Sequence, residues 1–131
     1  MSRSASPHPT ELELQILKIL WQRAPLPVRD VRQTLAEQGR DIAHTSVITT
    51  LNKMFGKRYL QRTRQGKEFL FAPRVEQQDV CQRMLGDVVN RVFNGSPAAV
   101  VLALFDCAEI DEGELQQLRR ILDQKSKEQS P

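Results

Sequence analysis

The sequence has few of the side chains from which enzyme active sites and metal sites are usually built. It contains two histidines and two cysteines among 131 residues. His8 and His44 have no nucleophile–base pair, phosphate-binding loop or ligand cluster near them in the sequence. Cys81 and Cys107 are 26 positions apart, a spacing that forms no metal-binding motif. We therefore expect no catalytic residue, no metal and no cofactor, and so not an enzyme.

Long apolar runs are also missing. No stretch reaches the ~18 apolar residues that a membrane-spanning helix needs, and residues 1–9 lack the apolar core of a signal peptide. We expect residues 1–9 to form a short disordered tail and the protein to be cytoplasmic. Both cysteines lie in apolar segments with helical character, so we expect free, buried thiols in a reducing compartment and no disulfide.

The charges are divided unevenly along the chain. Residues 1–73 carry twelve basic and six acidic side chains, whereas residues 74–131 carry seven basic and ten acidic ones. A basic first part joined to an acidic second part indicates that only the first part meets a polyanion. Such a division also arises by chance, so charge alone leaves nucleic-acid binding undecided.

The sequence pattern of residues 10–39 predicts two amphipathic helices. Thr10 and Glu13 have the spacing of a capping box, which begins the first helix. Pro27 suits the first turn of the second helix, where its missing amide is harmless, and Gly39 suits the cap that ends it. The apolar positions at helical spacing are Leu14, Leu17, Leu20 and Trp21, then Val28, Val31 and Leu35.

The stretch AHTSVITTLNKMFGKR, residues 43–58, predicts a third helix with two contrasting faces. One face is polar but has a single cation and no acid, whereas solvated faces usually mix glutamate with lysine. An ordinary polar surface remains the alternative. The apolar face comprises Val47, Ile48, Leu51, Met54 and Phe55, and the polar face comprises Thr45, Thr49, Asn52 and Lys53.

Two short strands follow, Tyr59–Thr63 and Glu68–Ala72, joined by a tight turn at Gly66 with cations around it. Three helices and a basic hairpin predict a winged helix-turn-helix domain at residues 10–73. The fold class is therefore mainly α with a small β-hairpin, and the predicted partner is double-stranded DNA. The expected DNA contacts are Thr45, Ser46, Thr49, Lys53, Arg62, Arg64 and Lys67.

Residues 74–125 predict three further helices with more apolar surface than so short a segment buries by itself. Asp111 and Glu114 have the spacing of a helix cap, and residues 126–131 read as a solvated tail. A two-fold homodimer is the simplest cover for this surface, although packing back on the first part of the chain is an alternative. The expected dimer contacts are Val88, Val92, Val101, Leu104, Phe105, Leu115, Leu118 and Leu122.

Four segments, TELELQILKILW, AHTSVITTLNKM, RQGKEFLFAP and DEGELQQLRRILDQ, resemble the penicillinase-repressor family of bacterial regulators, the BlaI/MecI type. The resemblance implies homodimers with an N-terminal winged helix that repress resistance or stress genes, including β-lactamases, from palindromic operators. The family's recognition-helix motif matches residues 43–54, with Lys53 where the family typically has arginine. Lysine lacks the two-pronged geometry of arginine, so the base preference implied by the family does not transfer.

The same resemblance implies a route of release. Some relatives are cut by a membrane-bound metalloprotease sensor, commonly between Asn and Phe, but Ala103 and Leu104 occupy the aligned positions here. Proteolytic release and such a sensor as a partner are therefore left open. Relatives that sense copper carry paired cysteine motifs near the C-terminus, and this chain has only Cys107 there.

Two other functions compete with a repressor. A winged helix that binds protein would more often have a neutral or apolar wing and third helix, whereas residues 43–73 hold six cations and Glu68 as the one acid. An architectural DNA-binding protein would bind with weak sequence preference. A palindrome upstream of the gene would favour the repressor.

Overall fold

The structure is a computed structural model that describes residues 8–129. The described residues divide after Leu85 into two compact units. The helices of the described residues are α1 Glu11–Gln22, α2 Val28–Glu37, α3 His44–Gly56, α4 Gln77–Val92, α5 Pro97–Cys107 and α6 Glu112–Gln129. The strands are β1 Leu26–Pro27, β2 Leu60–Gln65 and β3 Glu68–Pro73.

The predicted capping box begins α1. The Glu13 amide donates to the Thr10 hydroxyl oxygen at 3.2 Å, and the Thr10 amide donates to Glu13 Oε1 at 2.9 Å. The buried face of α1 is wider than the sequence predicted. Ile16 and Ile19 are buried in addition to the predicted Leu17 and Leu20. Capping thus fixes where α1 starts, and its broad apolar side forms one wall of the core.

A short third strand, β1, extends the predicted hairpin to a sheet. The order is β1-β3-β2, all antiparallel, with Leu26 opposite Phe71. Pro27 lies in this strand and is the N-cap of α2, so its predicted place in the first helical turn is wrong by one position. An edge strand tolerates a proline because no neighbour needs its missing amide.

The two glycines predicted from the sequence, Gly66 in the hairpin turn and Gly39 as the cap of α2, have the required backbone. Gly66 has φ +65° in the two-residue turn between β2 and β3, and Gly39 has φ +90° just after α2. At the end of α2 the Arg40 amide donates to the Leu35 carbonyl at 2.9 Å, which closes the helix. The buried core of this unit consists of Ile16, Leu17, Ile19, Leu20, Leu26, Val31, Leu35, Val47, Leu51, Met54, Leu60 and Phe71.

The second unit consists of helices without a buried core of their own. The Ser96 hydroxyl caps α5, and Asp111 Oδ1 accepts from the Glu114 amide at 2.8 Å, as the predicted cap requires. Helix α6 continues to Gln129, so the segment expected to be a tail is helical at residues 126–129. Among described residues 86–129 no side chain is buried. The apolar side chains there that are exposed in the single chain include Val88, Val92, Val101, Leu102, Leu104, Phe105, Ile121 and Leu122.

The expected burial of the thiols is wrong. Cys81 and Cys107 are both free and both exposed. Their apolar neighbours on α4 and α5 are themselves largely uncovered in the single chain, so an apolar sequence context did not produce burial. Over residues 8–129, no single helix is both long enough and apolar enough to cross a membrane. Helices α4 and α5 meet the two criteria only when they are taken together, and the chain bends at the break between them.

Candidate nucleic-acid interface

Helix α3 has the two faces that its sequence predicts. Val47, Leu51 and Met54 have no exposed surface and fix the helix to the core. Phe55 departs from the predicted apolar face, because 38% of its surface is exposed. The residues that we name the polar face of α3 are all exposed, and they are Thr45, Ser46, Thr49, Asn52 and Lys53.

Hydrogen bonds within α3 decide what its threonines can offer a ligand. The Thr49 hydroxyl donates to the Thr45 carbonyl at 2.9 Å, and the Thr50 hydroxyl donates to the Ser46 carbonyl at 2.8 Å. A hydroxyl has one proton, so Thr49 in this rotamer offers an accepting oxygen and a methyl group.

The start of α3 is open to an anion. Its N-cap, Ala43, makes no side-chain capping bond, and the first turn contains no acid. The amides of a helix's first turn carry partial positive charge, which favours a phosphate there over a cation.

The wing, which we define as β2, β3 and the Gly66–Lys67 turn, carries two of the predicted cations at its tip. Arg64 and Lys67 are exposed, and Arg64 Nε donates to the Gly66 carbonyl at 3.2 Å. This bond keeps the guanidinium beside the turn, so both charges lie at one end of the hairpin.

Arg62 differs from the other wing cations because it is directed toward α3. Its guanidinium carbon is 4.0 Å from the ring centre of Phe55 and 4.5 Å from that of Phe69. Arg62 Nη1 also donates to Asn52 Oδ1 at 3.3 Å. Arg62 is therefore half-buried and joins the wing to α3, a role that its sequence position did not reveal.

The single acid among residues 43–73 is paired. Arg29 Nη1 donates to Glu68 Oε2 at 2.6 Å, which links α2 to the start of β3, next to the turn of the wing. Because Arg29 neutralises Glu68, no unpaired acid among residues 43–73 opposes the positive charges of α3 and the wing.

A buried carboxylate holds the end of α3. Glu13 is 3% exposed, and Lys57 Nζ donates to both of its oxygens at 3.0 Å. Sequence spacing identified Glu13 only as a cap, because Lys57 is 44 residues away.

The Tyr59 phenol lies close enough to this pair for its pKa to change. Burial raises the pKa of Tyr59, and the charge of Glu13 raises that pKa further, while Lys57 and Arg83 lower it.

Three comparisons with known proteins bear on this surface. The sequence profile of a family described as penicillinase repressor matches residues 9–124. The methicillin resistance regulatory protein MecI of Mammaliicoccus sciuri is 22% identical over 113 residues, which are 86% of this chain and 91% of the relative. The penicillinase repressor of Bacillus licheniformis is 22% identical over 118 residues, 90% of this chain and 91% of the relative.

One solved structure supports the fold. The solution structure of the DNA-binding domain of the repressor BlaI superposes with a TM-score of 0.50 at 19% identity, covering 59% of this chain and 93% of that domain. At this identity the likeness concerns the fold, and it confirms the predicted winged helix.

Proposed function

We propose, since this chain belongs to the penicillinase repressor family of DNA-binding transcriptional repressors, that it acts as a homodimer on a palindromic operator. The observation that carries the proposal is the polar face of α3, which is exposed, free of acids and flanked by the cationic tip of the wing. A helix of this shape fits the major groove, and two copies related by a two-fold axis read two half-sites.

Within this proposal the contacts divide into two kinds. Lys53, Arg64 and Lys67 contact phosphates and position the protein, because flexible cations gain most from the charged backbone. Thr45, Ser46 and Thr49 face the bases. The Thr49 methyl group packs on a thymine methyl, and its oxygen accepts from an amino group of adenine or cytosine.

The homodimer rests on the uncovered apolar surface of residues 86–129. Val101, Leu104 and Phe105 on α5 are 40%, 42% and 47% exposed, although α5 carries no charged residue before Asp106. An exposed apolar surface of this extent usually marks an interface. A second copy covers it and places two α3 helices on one DNA molecule, which raises affinity through bivalency.

The proposal extends to the regulated genes and to a release step. The names of the relatives refer to methicillin resistance and to penicillinase, and we extend control of resistance or stress genes to this chain. Because a bacterial repressor meets its operator in the cytoplasm, we also propose that the protein acts there. Cleavage within α5 by a membrane-bound metalloprotease would separate the dimer contacts, and Ala103–Leu104 is the bond to examine first.

The test is binding to the duplex upstream of the chain's own gene, compared with a scrambled duplex over a salt series. Lys53→Ala and the double variant Arg64→Ala, Lys67→Ala should weaken binding and flatten its salt dependence. Lys18→Ala, on exposed α1 surface, is the matched control and should bind as the wild type does. Equal binding to both duplexes would contradict a sequence-specific repressor, and no binding would contradict DNA binding.

A further inference from the structure

Asn52 occupies a place where a side chain reads DNA if α3 enters the groove. It is exposed on the polar face of α3, one turn after Thr49 and beside Lys53. Unlike those two residues, its side chain is bonded to another element, because its Oδ1 accepts from Arg62 Nη1 at 3.3 Å. The orientation of the Asn52 amide is therefore set by the wing.

Arg62 is well placed to set that orientation. The faces of Phe55 and Phe69 lie on its guanidinium at 4.0 and 4.5 Å, a geometry that attracts a cation and restricts its movement. A guanidinium has donors and no acceptor, so the amide group must turn its oxygen toward Arg62. The Nδ2 amino group of Asn52 is then directed away from Arg62.

This orientation changes which base Asn52 suits. Asparagine usually reads adenine with both ends of its amide, since the oxygen accepts from N6 and the amino group donates to N7. Here Arg62 already uses one of the two lone pairs of the oxygen, so the N6 amino group of adenine would have to donate to the same oxygen beside a positive charge. Guanine presents two acceptors, O6 and N7, in the major groove, which an amino group can satisfy.

We infer that Asn52 is a specificity-determining residue that donates from Nδ2 to a guanine of the operator, and that Arg62 is the positioning residue that holds the amide in this orientation. The inference rests on the proposed function, because it requires α3 in the major groove. It also assigns Arg62 a role other than the direct DNA contact expected from the sequence.

The experiment is selection from a randomised double-stranded DNA pool, followed by affinity measurements on single-base-pair variants of the selected site. The wild type should select guanine at one position of each half-site. Asn52→Ala should lose about tenfold of affinity for that guanine duplex, the scale of a base contact, and keep its other preferences. Arg62→Met keeps an apolar chain between the rings but has no donor, so its preference should move from guanine toward adenine.

Two further measurements separate positioning from charge. Removing a phosphate contact reduces the slope of log affinity against log salt by about one, whereas removing a positioning residue leaves that slope unchanged. Asn52→Asp retains the pairing with Arg62 but removes both amide donors, so guanine preference should disappear. Because Asn52 is exposed, its variants should fold like the wild type, and thermal unfolding followed by circular dichroism would verify this. The Asn52 variants therefore test the inference even if Arg62→Met is unstable.

The outcomes distinguish failure of this inference from failure of the proposed repressor function. If the wild type selects a site and Asn52→Ala selects the same site with the same preferences, Asn52 does not determine specificity. If Arg62→Met loses affinity equally for all duplexes and loses salt dependence, Arg62 is a phosphate contact. If the wild type selects no sequence, the proposed function itself fails.

Discussion

Glu13 and Lys57 connect the first turn of α1 to the C-cap of α3, because both carboxylate oxygens of Glu13 accept from the lysine ammonium at 3.0 Å. The pair is unequal, since Glu13 is 3% exposed and the Lys57 side chain is 30% exposed. A single buried group thus caps one helix and anchors the helix that carries the candidate DNA-contacting face.

Replacing Glu13 by glutamine should lower the free energy of unfolding by about 2 kcal/mol, because the charge pair is lost while the capping oxygen remains. Urea denaturation followed by circular dichroism would measure the change. Glu11→Gln is the matched control, because Glu11 is 91% exposed and its contact with Arg40 is 3.5 Å long. Equal effects of the two variants would show that the buried pair stabilises the fold no more than the exposed one does.

The raised pKa of Tyr59 predicts a loss of stability in alkali. The unfolded chain releases the phenol proton at pH 10, whereas the folded chain holds it to higher pH, so stability is complete below pH 10 and declines as the pH rises through the folded pKa. Tyr59 is the one tyrosine in the chain, so an ultraviolet absorbance titration observes it alone. Tyr59→Phe should remove this part of the alkaline decline, and a wild-type phenol that titrates at its ordinary pH would contradict the prediction.

Leu122→Asp should convert a dimer to a monomer. Leu122 is 60% exposed on α6 in the single chain, and a partner subunit would have to bury the new carboxylate without a counter-charge. Sedimentation velocity would detect the change, with Gln124→Asp on the same helix as the control. A Leu122→Asp protein with the wild-type sedimentation coefficient would exclude Leu122 from any dimer contact.

Glu68→Ala should increase DNA affinity severalfold at low salt and make it more salt-dependent. The substitution removes the single acid of residues 43–73 and releases Arg29 from the 2.6 Å pair, which adds a positive charge beside the wing. Glu112→Ala, a change of equal charge on α6, is the control. Unchanged affinity for the Glu68 variant would place Glu68 and Arg29 outside the DNA contact.

Local features of this fold follow from the sequence, because each depends on residues within a few positions. The caps at Thr10 and Asp111 and the positive φ of Gly39 and Gly66 are of this kind, and the structure confirms all four. The DNA and dimer contacts named from the sequence stay predictions.

Features that depend on distant residues were missed. Phe55 and Phe69 lie fourteen positions apart and meet over Arg62 only because the wing folds back on α3. Strand β1 has two residues, too few for an alternating pattern, and exists because Leu26 pairs with Phe71. The cysteines were expected to be buried from apolar neighbours, but only tertiary packing decides which apolar helix faces are covered.

The protein contains one tryptophan, and its contact gives the winged-helix unit an internal optical probe. Trp21 Nε1 donates to the Val75 carbonyl at 2.8 Å, just before α4 begins. Breaking that bond would expose the half-buried indole ring to water and move its emission to longer wavelength. Fluorescence of the unlabelled chain can therefore report whether the segment leading into α4 stays attached to α1 when DNA binds or when the later helices are removed.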